Sequence, residues 1–152
     1  MTTNGNIPFE LEFKLDELRK YTDLVKKVYG KAVSLLAQDL WANIGKEAPT
    51  DHGKLAGNWL IERMANEYDW RIYTMTKYAL FVHEGTGVYG PRGDVIRPKS
   101  AKALSFEWKG KNYVVRYVRG QKPNPYVDRA MQRSQQRIHE FVLTAIDQSG
   151  AA

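Results

Sequence analysis

From residue 16 to residue 45 apolar side chains recur at helical spacing, and this run constrains the fold more than any other feature of the chain. Leu18, Tyr21, Leu24, Val25, Val28, Ala32, Leu35, Leu36, Leu40 and Ile44 form one stripe, with Asp39 set into it. Lys20, Lys26, Lys27, Lys31 and Gln38 occupy mostly the other faces. A helix of about thirty residues is long for a globular domain, and Gly30 is the place for a bend. Ala48-Pro49 ends it, because proline drives the preceding residue out of the α region.

The remaining pattern is mixed. Phe9, Leu11, Phe13 and Leu15 alternate, which makes residues 1–14 an N-terminal arm or edge strand. Thr50 and Asp51 cap a short helical turn loosened by Gly53 and Gly57. Residues 59–64 and 68–75 read as two strands joined through Ala65-Asn66-Glu67. Residues 77–84 read as a short helix with Tyr78, Phe81 and Val82 inward, stopped by Gly85. A loop spans residues 85–104, and a hairpin follows over 104–118 around Lys-Gly-Lys-Asn, with Phe106 and Trp108 facing Val115 and Tyr117. A last helix runs from Tyr126 to about Asp147, anchored by Tyr126 and the turn at 123–125. The expected fold is α+β: a small antiparallel β-sheet packed with a long N-terminal helix and a C-terminal helix, one domain over 15–147, and a disordered tail at 148–152.

Size and composition suit that reading. A chain of 152 residues, 43% hydrophobic, is one domain able to bury a core. It has no cysteine, so disulfides, thiolate metal sites and cysteine nucleophiles are excluded. No basic-then-apolar leader opens the sequence, and apolar runs fall far short of the ~20 residues that span a bilayer. The expectation is a soluble protein with no membrane partner.

The net charge of +6 is unevenly placed. Residues 92–122 hold nine basic side chains (Arg92, Arg97, Lys99, Lys102, Lys109, Lys111, Arg116, Arg119, Lys122) against Asp94 and Glu107, so the rest of the chain is nearly neutral. Such a patch suits a polyanion or an acidic protein surface.

Gly85, Gly87 and Gly90 match the G-x-G-x-x-G spacing of phosphate loops, but a helical pattern precedes them and Pro91, Gly93 and Pro98 prevent a helix afterwards. The dinucleotide context is therefore missing. His83-Glu84 opens a zincin-like motif whose second histidine would fall on Gly87. His83, Glu84 and Asp94 form the only ionisable cluster near the basic segment. His83 reads more simply as a helix-end residue satisfied by a backbone carbonyl. No catalytic, cofactor or metal residues are assigned.

Three pieces in order resemble one family: Thr50-Asp51-His52-Gly53-Lys54-Leu55 after the long helix, Tyr78-Ala79-Leu80-Phe81-Val82-His83-Glu84-Gly85-Thr86 after the two strands, and Pro123-Asn124-Pro125-Tyr126-Val127-Asp128-Arg129-Ala130 opening the last helix. Together they resemble the small neck proteins of tailed bacteriophages and prophages, the tail-completion or head–tail joining family. That resemblance implies a non-enzymatic virion protein, assembled in the host bacterial cytoplasm as a ring, commonly a hexamer, around the DNA channel. Its neighbours would be the tail terminator or tail tube and the head connector. Gly85, Thr86, Gly87, Tyr89, Arg92, Arg97, Lys99 and Lys102 are then expected to form an adaptable interaction loop. Lys109, Lys111, Arg116, Arg119 and Lys122 continue the basic surface, with non-specific DNA contact in the lumen. The alternative is a free nucleic-acid-binding protein or small nuclease using residues 92–122.

Overall fold

The computed structural model describes residues 15–50, 54–66 and 68–150. The α+β class is as expected. The elements are α1 (Leu15–Glu47), the short turn α2 (Lys54–Gly57), β1 (Trp59–Arg63), β2 (Trp70–Thr74), α3 (Ala79–Glu84), β3 (Leu104–Trp108), β4 (Lys111–Val115), α4 (Tyr126–Gln136) and α5 (Ile138–Ser149). The alternating N-terminal run and Asp51-His52 lie outside the described residues. Among the described residues no helix is long and apolar enough to cross a membrane.

The four strands divide into two separate antiparallel hairpins, β1–β2 and β3–β4, where the sequence suggested one small sheet. In the first, Trp59 pairs with Thr74 and Arg63 with Trp70. This register turns Ile72 and Trp59 toward the core and leaves Met75 exposed.

α1 is continuous through Gly30. An added Cβ there would stand 3.3 Å from the Tyr68 ring, so the glycine leaves room for an aromatic side chain against the helix. Tyr29 meets the same ring edge-on at 5.3 Å. Trp41 Nε1–H donates to Trp59 O at 2.8 Å, fixing β1 across the C-terminal half of α1.

The core gathers where α1 ends. Ile44, Ala48, Leu55, Ala79, Tyr126 and Ala130 are buried together, with Leu40, Trp59, Ile72, Val82 and Val127 packed around them. Tyr126 is 1% exposed; Trp59 and His83 meet it edge-on at 6.2 and 5.6 Å. Burying a side chain of this size is worth roughly 2–3 kcal/mol. Burial also pushes its phenol above the usual value of 10.0.

The last helix is two helices. Arg137 has φ −101° and ψ 1°, and its N–H donates to Ser134 O at 3.1 Å, three residues back. One tightened turn at that point bends the run so that both α4 and α5 lie on α1. The Arg137 guanidinium is held between Asp39 of α1 and Glu140 of α5, without a proline or glycine. α5 extends to Ser149, two residues beyond the boundary read from the sequence, and Gly150 closes it in the left-handed conformation.

Candidate interaction surface

The glycine segment after α3 is tied down. Gly85 leaves α3 at φ +81° and ψ 175°, a positive-φ conformation open to glycine but not the left-handed helical cap, and a single 3₁₀ turn follows over Gly87–Tyr89. The chain then lies against residues 118–124. Thr86 N–H donates to Gln121 O at 2.9 Å and Val88 N–H to Arg119 O at 2.8 Å. Gln121 N–H returns a bond to Thr86 Oγ1 at 2.9 Å. Ile96 and Val118 exchange both backbone bonds, and Asn124 N–H donates to Val82 O at 3.0 Å.

Backbone meets backbone here closely enough that side chains are excluded. A Cβ on Gly87 would stand 2.2 Å from Arg119 O, and one on Gly120 2.0 Å from Thr86 O. Both residues also have positive φ. The glycines therefore allow two strands of irregular chain to touch. The adaptable arm expected over residues 85–93 is corrected to a staple.

A phosphate cradle needs free amides pointing at the ligand. In this loop the amides of Thr86, Val88, Tyr89 and Gly90 already donate to protein carbonyls. The preceding element is a six-residue helix, not a strand.

The hairpin β3–β4 rises from this staple. Lys109 and Gly110 make a two-residue turn with φ +51° and +73°, both left-handed as a type I′ turn requires. Phe106 pairs with Tyr113 and Leu104 with Val115, so the ring opposite Phe106 is Tyr113, stacked at 5.7 Å, and not Tyr117. Trp108 lies 6.3 Å from Tyr113 and is 58% exposed.

The nine basic residues of 92–122 are all exposed. Arg92, Arg97 and Lys99 rim an open cleft of about 710 Å³ whose other walls include Phe81, Glu84 and Ile96. Lys102 precedes β3, Lys109 and Lys111 sit at the hairpin tip, and Arg116, Arg119 and Lys122 follow β4. Several lie over aromatic rings: Lys109 over Trp108 at 4.9 Å, Arg97 over Tyr117 at 5.6 Å, and Arg119 and Lys122 over Tyr89 at 5.7 and 5.9 Å. Among the described residues none of the nine takes part in an ion pair. The surface is cationic, aromatic and unneutralised, suited to an anionic neighbour.

The ionisable trio read near this segment does not converge. His83 Nε2 lies 3.7 Å from Asp128 Oδ2 on α4, not against a backbone carbonyl, and its Nδ1 is buried without a partner. Glu84 and Asp94 line the open cleft. Among the described residues no three His, Cys, Asp or Glu side chains could hold a metal ion. Phe81, expected inward, is 58% exposed, because in a six-residue helix Ala79 and Val82 supply the buried side.

Sequence reasoning missed Gly120, which sits in what reads as a linker between hairpin and helix. Its only signal is the glycine itself, flanked by Arg119 and Gln121. It also missed the pairing of Asp39 with Arg137, 98 residues apart. The chain matches no protein-family model, no curated protein and no solved structure.

Proposed function

We propose that this chain is a non-enzymatic structural protein of a tailed bacteriophage or prophage, a tail-completion or head–tail joining component of the neck that assembles as a ring around the DNA channel. The motif order supports this reading, and one observation carries it: the staple and hairpin present nine exposed cations together with Phe106, Trp108, Val114 and Tyr117, all left exposed by the described elements of the chain. A single domain has no need of such a projection, whereas a subunit does. The neighbours would be further copies of the chain, the tail terminator or tube, and the head connector, with the basic face toward DNA or an acidic protein ring. Negative-stain imaging and immunoblotting of purified particles test it: the protein in the neck is the expected result, and its absence from particles overturns the reading.

The interleaving of cations with aromatic rings favours one second reading, a free nucleic-acid-binding protein. It requires affinity for duplex DNA that falls linearly in log–log form with salt. No binding at low salt removes it and leaves the first reading intact.

A further inference from the structure

Tyr21, Val25 and Tyr29 repeat every fourth residue along α1 and so lie in one row. They are 68%, 66% and 56% exposed. A tyrosine–valine–tyrosine row on the half of a long helix that points away from the core asks for a cover. We propose that it is covered by the alternating segment Phe9-Glu10-Leu11-Glu12-Phe13 of a second copy of this chain, an arm exchanged between subunits.

Three observations select that occupant. The lengths match: Tyr21 to Tyr29 spans about 12 Å at helical rise, and Phe9 to Phe13, extended, spans about 13 Å. An extended conformation places Phe9, Leu11 and Phe13 on one face, three apolar groups for three. The charges match too. Residues 19–31 carry Arg19, Lys20, Lys26, Lys27 and Lys31 against Asp23, and the arm brings Glu10 and Glu12.

Reach assigns the arm to a neighbour. Leu15 begins α1, so Phe9 stands six residues before it and extends at most about 21 Å from it. Tyr29 lies about 21 Å along the axis from Leu15, and a segment lying on a helix sits about 10 Å off that axis. The distance is therefore about 23 Å before any residue is used to reverse direction. The chain's own arm cannot cover the whole row; a neighbour's can. This contact deepens the self-assembly half of the proposed function and does not depend on the virion role.

The absence of cysteine makes a clean trap. Leu11→Cys and Val25→Cys proteins are mixed and treated with a short bismaleimide, beside a control mixture of Leu11→Cys with Val114→Cys, whose valine is exposed on β4. The expected result is a cross-linked heterodimer at least about tenfold above the control, and self-association of the full chain weakened at least about tenfold by deletion of residues 1–13. Circular dichroism of the deletion protein confirms that the domain still folds. Equal cross-linking in the two mixtures, unchanged self-association after deletion, or a full chain that stays monomeric at every concentration would each overturn the exchanged arm. A Leu11→Cys/Val25→Cys double variant that, diluted into unsubstituted protein, links only within one chain would do the same. Self-association that persists without the trap removes the arm but leaves ring assembly standing, and particle immunoblots decide the virion role separately.

Discussion

The arginines of α4 and its junction with α5 and the cations of residues 92–122 are the same chemistry put to opposite uses. Arg129 and Arg133 both reach Glu47, at 2.9 and 2.8 Å, and Arg129 also donates to Asn124 Oδ1 at 2.7 Å. Arg137 bridges Asp39 and Glu140. Beneath it, Ser134 Oγ–H donates to Asp39 Oδ2 at 2.8 Å, and Asn43 Nδ2 donates to both, at 2.9 and 3.0 Å. The bond from Arg129 holds the Glu47 carboxyl below its usual 4.5. On the staple and hairpin the cations meet rings or solvent instead. Charge that meets a carboxylate inside one chain sets how helices pack; charge left unmatched is available to something outside it.

The contrast breaks hardest at Gly120. Gly120→Ala would drive a methyl into the Thr86 carbonyl at positive φ, a strain of about 3 kcal/mol or more. The expected outcome is a lower denaturant midpoint and fast hydrogen exchange at the Thr86 and Val88 amides, with the α1–α4 amides still protected. Uniform loss of protection would mean that the two regions unfold as one unit.

A smaller effect separates them by pH. Glu47 is depressed in the fold, so the stability it adds is complete above its unfolded value of 4.5 and is lost as pH falls through its lower folded value. Thermal melts of the parent protein should fall in that acidic window, and Glu47→Gln should flatten the fall while lowering the melting temperature at neutral pH. An unaltered acid profile would mean that other carboxylates govern it.

The smallest effect on stability belongs to the exposed cations. Replacing Arg97, Lys99 and Lys102 together by Ala should change unfolding free energy by no more than about 0.5 kcal/mol, yet weaken retention on a polyanion column and reduce its salt dependence. A large loss of stability would place these residues in the folding network and end the contrast.

How much of this was legible depends on range. α1 was readable because a 3.6-residue period was sustained over about eight turns; the β3–β4 hairpin was readable from its alternating runs, but its turn is the two residues Lys109-Gly110 and not the four of Lys-Gly-Lys-Asn, because Lys109 takes a positive φ that its residue type does not signal. The outward turn of Phe81 was not, since a helix of six residues carries too little period to define a face. Nor was the break at Arg137, where no glycine or proline marks it and the Arg137 guanidinium pairs with a carboxylate on a different helix, 98 residues away in sequence. Of the candidate interaction surface, the charge was fully legible. Its rigid mounting was not, because Gly87 and Gly120 matter through backbone atoms some 33 residues apart.

By itself the sequence determined most of the elements, the stripe of the long helix α1 and the concentration of cations on residues 92–122, because propensity, periodicity and charge act between neighbours in the chain. Only the tertiary structure decided which arginines are neutralised, that the strands form two hairpins, and that the glycine segment is a staple. Those outcomes depend on ångström-scale approaches between distant backbones, and nothing local in a sequence encodes such a distance.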